Sequence, residues 1–591
     1  MIARWMRAIR SFSFSDIPGP VFVKEVHVIG RRAATYWTRG LFTLGLLLML
    51  LIIFAAQATQ LADATPANRL QQLQTIAPVV AICIFWFEFI LLALAAAAMC
   101  GGAICDERRK GTLGALLTTP LFIWQIVLGK VAGGAAQLII LALIGAPMLL
   151  AVRVFGGLTA GAVLASLSLI VSTLLLVCFT TIYCSVYAKR AATAMLGGLA
   201  LAGIIEFAPA VIFAILKLRM GKINPLFIFD VSPPFALGQV CAEMMGVNTA
   251  GMGFSSWGWL TASAYAMGWA LFFFLLTTVS LRGVMMREYA GSAAVVTPKA
   301  ITKAAAMAAK RSRIVGDYPV LWREMQQTSF KSWKVMLFAL LVAAGLLTYL
   351  YIEIGVGDME THIVIAAITM GIILIVSTIA TATSMAGERE SRTIDVLLTT
   401  PMSAQEIVIG KFAGAIRRQW FVPALLGLNL LCAGVLTQVL SWTVLIHIAM
   451  AVLPAMALLG ATGLWLSIVC KKTSTAAALN FLLALTVWLG IPLVVMVISE
   501  LVFRVRNSDD FFSVWSIANP IGQVVISVMG SSFSYIANHN ERPYDVYGLF
   551  SLSKVGYTGL MLAYVGGYAF ATWVVLRAAA RALAVRSGRN G

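Results

Sequence analysis

Apolar residues in this chain come in long unbroken runs, and most of the charge sits in the short segments between them. A helix needs about 20 apolar residues to cross a hydrocarbon layer of about 30 Å. Twelve runs approach or exceed that length: 40–57, 76–105, 126–152, 158–187, 193–216 and 257–281 in the first half, and 335–352, 362–386, 412–438, 442–469, 474–499 and 556–577 in the second. None shows the ten-residue alternation of a barrel strand, so the pattern predicts twelve transmembrane helices and an all-α integral membrane protein.

Composition agrees with that reading, since 11% of the residues are charged and 60% hydrophobic, against about 25% charged in an ordinary soluble domain. The 43 Lys and Arg residues set the orientation, because cationic short loops stay cytoplasmic. With both termini inside, 34 of them fall on inner segments. The net charge of +19 is thus mostly a topological address. It is dispersed over loops that flank spans, without the basic and aromatic groove of a nucleic-acid surface. Arg4, Arg7 and Arg10 precede "SFSFSDIPGP" rather than an apolar core, unlike a cleaved signal peptide. Seven of the eight cysteines lie in or beside spans, and no metal-ligand spacing is present, so no metal site is expected.

One charged sentence is written twice. "ERRKGTLGALLTTPLFIWQIVLGK" begins at Glu107 and "ERESRTIDVLLTTPMSAQEIVIGK" begins at Glu388, with twelve identities in 24 positions at an offset of 281. The repetition extends outward: "PVFVKE" (Pro20 to Glu25) answers "PVLWRE" (Pro319 to Glu324), and "SVYAKRAATA" answers "SIVCKKTSTA" between the fourth and fifth runs. The chain therefore reads as a six-span unit at 1–284, a basic inner linker at 285–316, and a second six-span unit at 317–591. Units of like orientation imply a pseudo-twofold axis along the membrane normal.

Leu113, Leu116 and Leu117 fall at helical spacing in the first repeated segment, which predicts a short amphipathic helix from Glu107 to Thr118. Thr119 and Pro120 then fit an N-cap and first helical position for the third span. In the second half, Ser403 and Glu406 offer a capping box as an alternative or additional start. A short rigid helix between two long spans is a lever. Positive-inside charge does not explain the acidic Glu107 and Glu388, nor the duplication.

The pattern E-R-x-x-x-T-φ-x-x-L-L-T-T-P-φ-x-x-x-x-I-φ-x-G-K, with φ apolar, resembles the inner loop of type-2 ATP-binding-cassette (ABC) transporter permeases. "P-V-x-x-K/R-E" is similar to the elbow helix before their first span, here about 18–38. The resemblance covers both halves and implies two six-helix permease repeats with elbow helices and short cytoplasmic coupling helices that dock on ATPase subunits. It places Glu107, Arg108, Thr112, Leu116 and Leu117, with Glu388, Arg389, Thr393, Leu397 and Leu398, at the ATPase contact. Pro120, Gly129 and Lys130, with Pro401, Gly410 and Lys411, would shape the start of the third span. Lys189, Arg190, Lys471 and Lys472 would form secondary inner contacts. Family permeases often occur as six-span chains that dimerise, whereas here two are fused, and Phe122 stands where the second half has Ser403, so the two coupling sites need not work equally.

No G-x-x-x-x-G-K-[ST] phosphate loop is present, because Val131 and Phe412 follow the two Gly-Lys pairs. The longest polar stretches are too short for an ATPase domain. No cofactor is therefore expected in this chain: ATP and magnesium belong to separate cytoplasmic ABC ATPase subunits, expected in two copies, with membrane lipid as the other partner. The resemblance also implies a bacterial inner-membrane exporter whose central path runs between the repeats. An apolar path with few fixed charges suits an amphipathic cargo.

Three other classes compete. A twelve-span secondary carrier is suggested by "GAICDERRK", superficially similar to a major-facilitator loop, but Glu107 and Arg109 replace its arginine and glycine and the second half does not match. A membrane enzyme would need convergent polar groups, and His27, His362, His447 and His539 are scattered. A non-transporting scaffold on the same fold is the third. Glu88 and Glu206 lie deepest in apolar runs, where an acidic side chain costs roughly 2.5–3.5 kcal/mol, so each should face protein or water. They are either packing acids or residues of the translocation path; His447 is a packing residue. The outer segments 217–256 and 500–555 are expected to hold a short re-entrant or capping structure.

Overall fold

The computed structural model describes all residues except 1–18, 32–34, 37, 48, 52–65, 114–120, 154–157, 189–190, 221–229, 248–256, 293–318, 327–336, 338–339, 342–343, 346, 348–350, 352–358, 391–392, 436, 471, 491–518, 533–543, 547–549, 553 and 588–591. The chain divides into two compact units, Met1–Ala306 and Met307–Gly591.

In the first unit, α1 (Gly19–Gly30) lies within the stretch expected as the elbow, and an apolar helix too short for a span, Thr38–Leu51, follows it. The remaining elements are α2 (Pro66–Cys100), α3 (Cys105–Lys110), α4 (Ile123–Arg153), α5 (Ala160–Tyr187), α6 (Ala191–Met220), α7 (Pro233–Met244) and α8 (Gly258–Ser292). Helix α5 is central, packed by α2, α4, α6, α7 and α8. Its sequence suits that place, because small and hydroxylated residues let neighbouring backbones approach. The hydroxyls of Ser166, Ser172 and Thr180 donate to carbonyls one turn back, so their polarity is satisfied inside the helix.

The second unit repeats the plan with α9 (Pro319–Gln326), α10 (Met359–Ala382), α11 (Ser384–Glu390), α12 (Ile394–Leu398), α13 (Ala404–Arg417), α14 (Phe421–Asn429), α15 (Thr443–Val469), α16 (Thr473–Leu485), α17 (Pro520–Ser531) and α18 (Lys554–Ser587). Here α15 is central, packed by α10, α13, α16, α17 and α18. Its buried face carries Ala451, Ala455, Gly460, Ala461, Thr462, Gly463 and Ser467.

Among the described residues, eight helices are long and apolar enough to cross a membrane, five in the first unit and three in the second. The twelve expected spans differ from these at four places. Thr38–Leu51 is short, and most of 335–352 lies outside the described residues. The run 474–499 is helical as α16 and a π-helical segment, Thr486–Gly490, beyond which the chain lies outside the described residues. The run 412–438 is broken: α13 ends at Arg417, a turn spans 418–420, and α14 leads into a π-helical segment, Leu430–Val435. Pro423 explains the break, since it offers no N–H to the Gln419 carbonyl and its ring crowds that oxygen. The position 281 residues earlier is Ala142, and α4 runs through it unbroken.

The two expected outer structures are short buried helices, α7 and α17, each with Pro at its start. Ser232 Oγ, just before α7, donates to the Glu206 carbonyl at 2.6 Å, and Asn519 Oδ1 caps the Ile521 N–H at 2.8 Å. One departure from an all-α fold lies nearby. Strands β1 (Tyr544–Val546) and β2 (Phe550–Leu552) pair antiparallel, with Asp545 opposite Ser551. Three residues a side are too few for a helical or strand period to be read from sequence.

Candidate functional site

Each repeated segment folds into a joint where three parts of its unit meet. In the first, Lys130 on the first turns of α4 donates to Glu25 Oε1 of the elbow at 2.6 Å and to Glu107 Oε1 of α3 at 2.8 Å. In the second, Lys411 on α13 donates to Glu324 Oε1 of α9 at 2.7 Å and to Glu388 Oε1 of α11 at 2.8 Å. Thr112 and Thr393 complete the pattern, each donating through its hydroxyl to the carboxylate and the main-chain oxygen of the glutamate five residues earlier.

The arginine that follows each glutamate grips another element. The Arg108 guanidinium donates to the carbonyls of Val186 (2.6 Å) and Ala188 (2.8 Å), and that of Arg389 to Cys470 (2.6 Å) and Ile468 (2.9 Å). These are the orphan carbonyls at the C-terminal ends of the central helices α5 and α15, where a cation also complements the helix dipole. Ser185 and Ser467, on the same ends, accept main-chain N–H groups from Cys105 and Met385. Each short segment is thus fastened to the first helix of its unit and to α4 or α13 through its glutamate, and to α5 or α15 through its arginine.

The second joint has further fastenings. Glu390 Oε1 accepts the Thr473 N–H at 2.8 Å, capping α16. Arg586 of α18 donates to the Ile468 and Val469 carbonyls. Gly410 and Gly414 form the seat for the elbow: a Cβ on Gly410 would lie 3.0 Å from the Leu321 nitrogen, and one on Gly414 would lie 2.4 Å from Glu324 Cβ. Gly129 occupies the matching place on α4, against which α1 packs.

Two local expectations are corrected, and one choice between alternatives is decided. The amphipathic stretch is not one helix in either unit: α3 ends at Gly111 with φ of 72°, and α11 and α12 are separate. A left-handed glycine cap stops the first, and a main-chain bond from Thr393 N–H to the Glu388 carbonyl turns the chain in the second. Of the two starts offered in the second unit, the Ser403–Glu406 capping box is the one formed: α13 begins after Ser403, two residues beyond Pro401. The first unit keeps half of that box, with Gln125 Oε1 accepting the Phe122 N–H at 3.0 Å. Leu397 is not turned outward: it is buried with Val320, Met385, Ile407 and Val408, with Leu398 packed beside it, and the exposed apolar side chain of α12 is Val396.

Leu116, Leu117, Pro120, Lys189, Arg190 and Lys471 lie outside the described residues. Lys472 is exposed at the start of α16. Glu88 and Glu206 stand apart from the joints. Glu88 is buried in α2 against Gly145 of α4, and Glu206 is buried in α6. Sequence reasoning missed Glu25, Glu324 and Arg418 as site residues. The first two close the repeated elbow motif and were legible as its last letter. Arg418 has no repeated counterpart, since Gln137 stands at the matching position.

A protein-family model described as "ABC-2 family transporter protein" matches this chain twice, over residues 36–351 and again over 257–578. No curated protein and no solved structure matches it.

Proposed function

The chain belongs to the ABC-2 transporter family, and from that premise we propose that it is a fused permease whose two charged joints transmit the closure of separate ATPase subunits to the membrane helices. The family makes it the membrane component of an ABC transporter and not itself a catalyst. Its direction is taken as outward and its membrane as the bacterial inner membrane, with 34 of 43 Lys and Arg residues assigned to inner segments on that reading.

One observation carries the proposal: the same Glu–Lys–Glu bridge and the same Arg-to-carbonyl grip occur in both units. An ATPase pressing on α3 or α11 would meet a segment tied to the elbow and third span through its glutamate and to the fourth span through the arginine next to it. Movement of that segment carries those helix ends with it. Arg108 and Arg389 transmit to the fourth span, Lys130 and Lys411 to the third, and Glu107 and Glu388 join the two. The glutamates act as internal fasteners, while neighbouring exposed groups such as Lys110 and Val396 remain for the ATPase.

The test is isolation of the full chain from native membranes in gentle detergent. A phosphate-loop ATPase is expected to accompany it at about two copies per chain, one per joint. The Glu107→Ala, Glu388→Ala double variant is expected to lose it. Absence of any ATPase even after crosslinking would bring the carrier or scaffold reading forward.

A further inference from the structure

The two joints share a plan but are filled differently. In the second, two carboxylates meet one ammonium and two guanidiniums: Arg323 bridges to Glu388, and Arg418 Nη1 lies 3.3 Å from Glu324 Oε2. In the first, Glu25 and Glu107 share Lys130, and among the described residues no other side-chain cation bridges to either. The counterpart of Arg323 is Lys24, which is exposed, and the counterpart of Arg418 is Gln137, which donates to Thr38 Oγ1 instead. Arg109 is paired with Asp106, and Lys110, exposed at the end of α3, acts on Glu107 through space without bridging to it.

Exposure follows the same division. The side chains of Glu25, Glu107 and Lys130 are 23%, 25% and 15% exposed, against 1%, 12% and 3% for Glu324, Glu388 and Lys411. The second joint is electrically filled and closed; the first has an excess carboxylate and is open. An open anionic site fastened to the lever is suited to a cation brought by whatever presses on it.

Resting on the coupling role above, we propose that the first joint is completed by a Lys or Arg side chain of its ATPase subunit, whereas the second joint supplies its own cations and is contacted without that ion pair. The two ATPase contacts then differ in kind. The first is screened by salt. The second relies on surfaces such as exposed Val396 and is less sensitive to it.

The experiment uses the full-length chain in nanodiscs and the ATPase that copurifies with it, purified separately, with binding measured across a salt series. Gln137→Arg places the missing guanidinium in the first joint, and Glu25→Gln removes its excess charge. Each is expected to weaken ATPase binding at low salt by roughly two- to fivefold, the effect of one ion pair open to water, and to flatten the salt dependence. Arg418→Gln, in the second joint, is expected to leave the salt dependence as in wild type. Gln137→Arg and Glu25→Gln binding like wild type at every salt concentration would overturn the inference while leaving the coupling role intact. Failure of the wild-type chain to bind the ATPase at all would overturn both.

Discussion

Gly145 lacks a side chain where the carboxyl of Glu88 lies: a Cβ there would fall 1.8 Å from Glu88 Oε1. Gly145→Ala is therefore expected to destabilise the first unit by roughly 1–3 kcal/mol, the usual cost of overpacking, read as a lower melting temperature in detergent. Combining it with Glu88→Ala should recover most of the loss, and a single variant that melts like wild type would remove the contact from the account. Thr369 and Leu426 stand at the matching places of the second unit, where Thr369 bonds to the Ile365 carbonyl, so this buried acid is particular to the first unit. A similar exchange links the fourth and fifth spans. Thr181 fills the space beside Gly198 in the first unit, whereas in the second Gly463 makes room for Asn480, which bonds to Thr462, Thr378 and Leu459. Glu88 was legible as a lone acid in an apolar run. Its partner Gly145 was not, because helices that are apolar all round carry no period that shows which faces meet.

At the scale of elements, the joints fasten helix ends at unequal depth. Removing one partner of a buried pair costs up to about 3–5 kcal/mol when the remaining charge is left uncompensated, while a pair open to water is worth about 1 kcal/mol or less. Glu324→Ala removes the buried one of the two carboxylates that hold Lys411 and leaves Glu388 as its partner, so it should lower stability more than Glu25→Ala, with chemical denaturation of the purified chain as the measurement. Equal losses would mean that the joints do not differ in burial. The elements themselves were partly legible. The elbows, the short inner helices and the Ser403 capping box follow from local signals of a few residues. The interruption at 418–420 has a local cause in Pro423, yet proline is tolerated inside spans elsewhere in the chain, at Pro147 and Pro454, so the residue alone did not announce a break. Leu397 was carried to the ATPase contact by the family pattern, and a pattern of letters does not say whether its own unit or a partner covers an apolar side chain. Glu25 and Glu324 lie 82 and 64 residues before the glutamates with which they share a lysine, a separation that no motif spans.

Across the whole molecule, duplication was the most legible property, because twelve identities in 24 positions at one offset need no structure to be seen. What the structure adds is that the repeated glutamate, threonine and lysine of each segment bond to one another while its arginine grips the central helix, in both units. The differences between the copies, such as Gln137 for Arg418 and Arg109 for Glu390, are placed at the same joints, so the fusion of two units in one chain allows the two contacts to specialise. The central claim is that these joints connect ATP hydrolysis to the membrane helices. Its most direct test compares ATP turnover of the purified ATPase alone, with the wild-type chain in nanodiscs, and with the Lys130→Met, Lys411→Met chain. The wild-type chain is expected to change turnover, and the double variant, which lacks both bridges, to leave turnover at the rate of the ATPase alone. A double variant that changes turnover as the wild type does would contradict it.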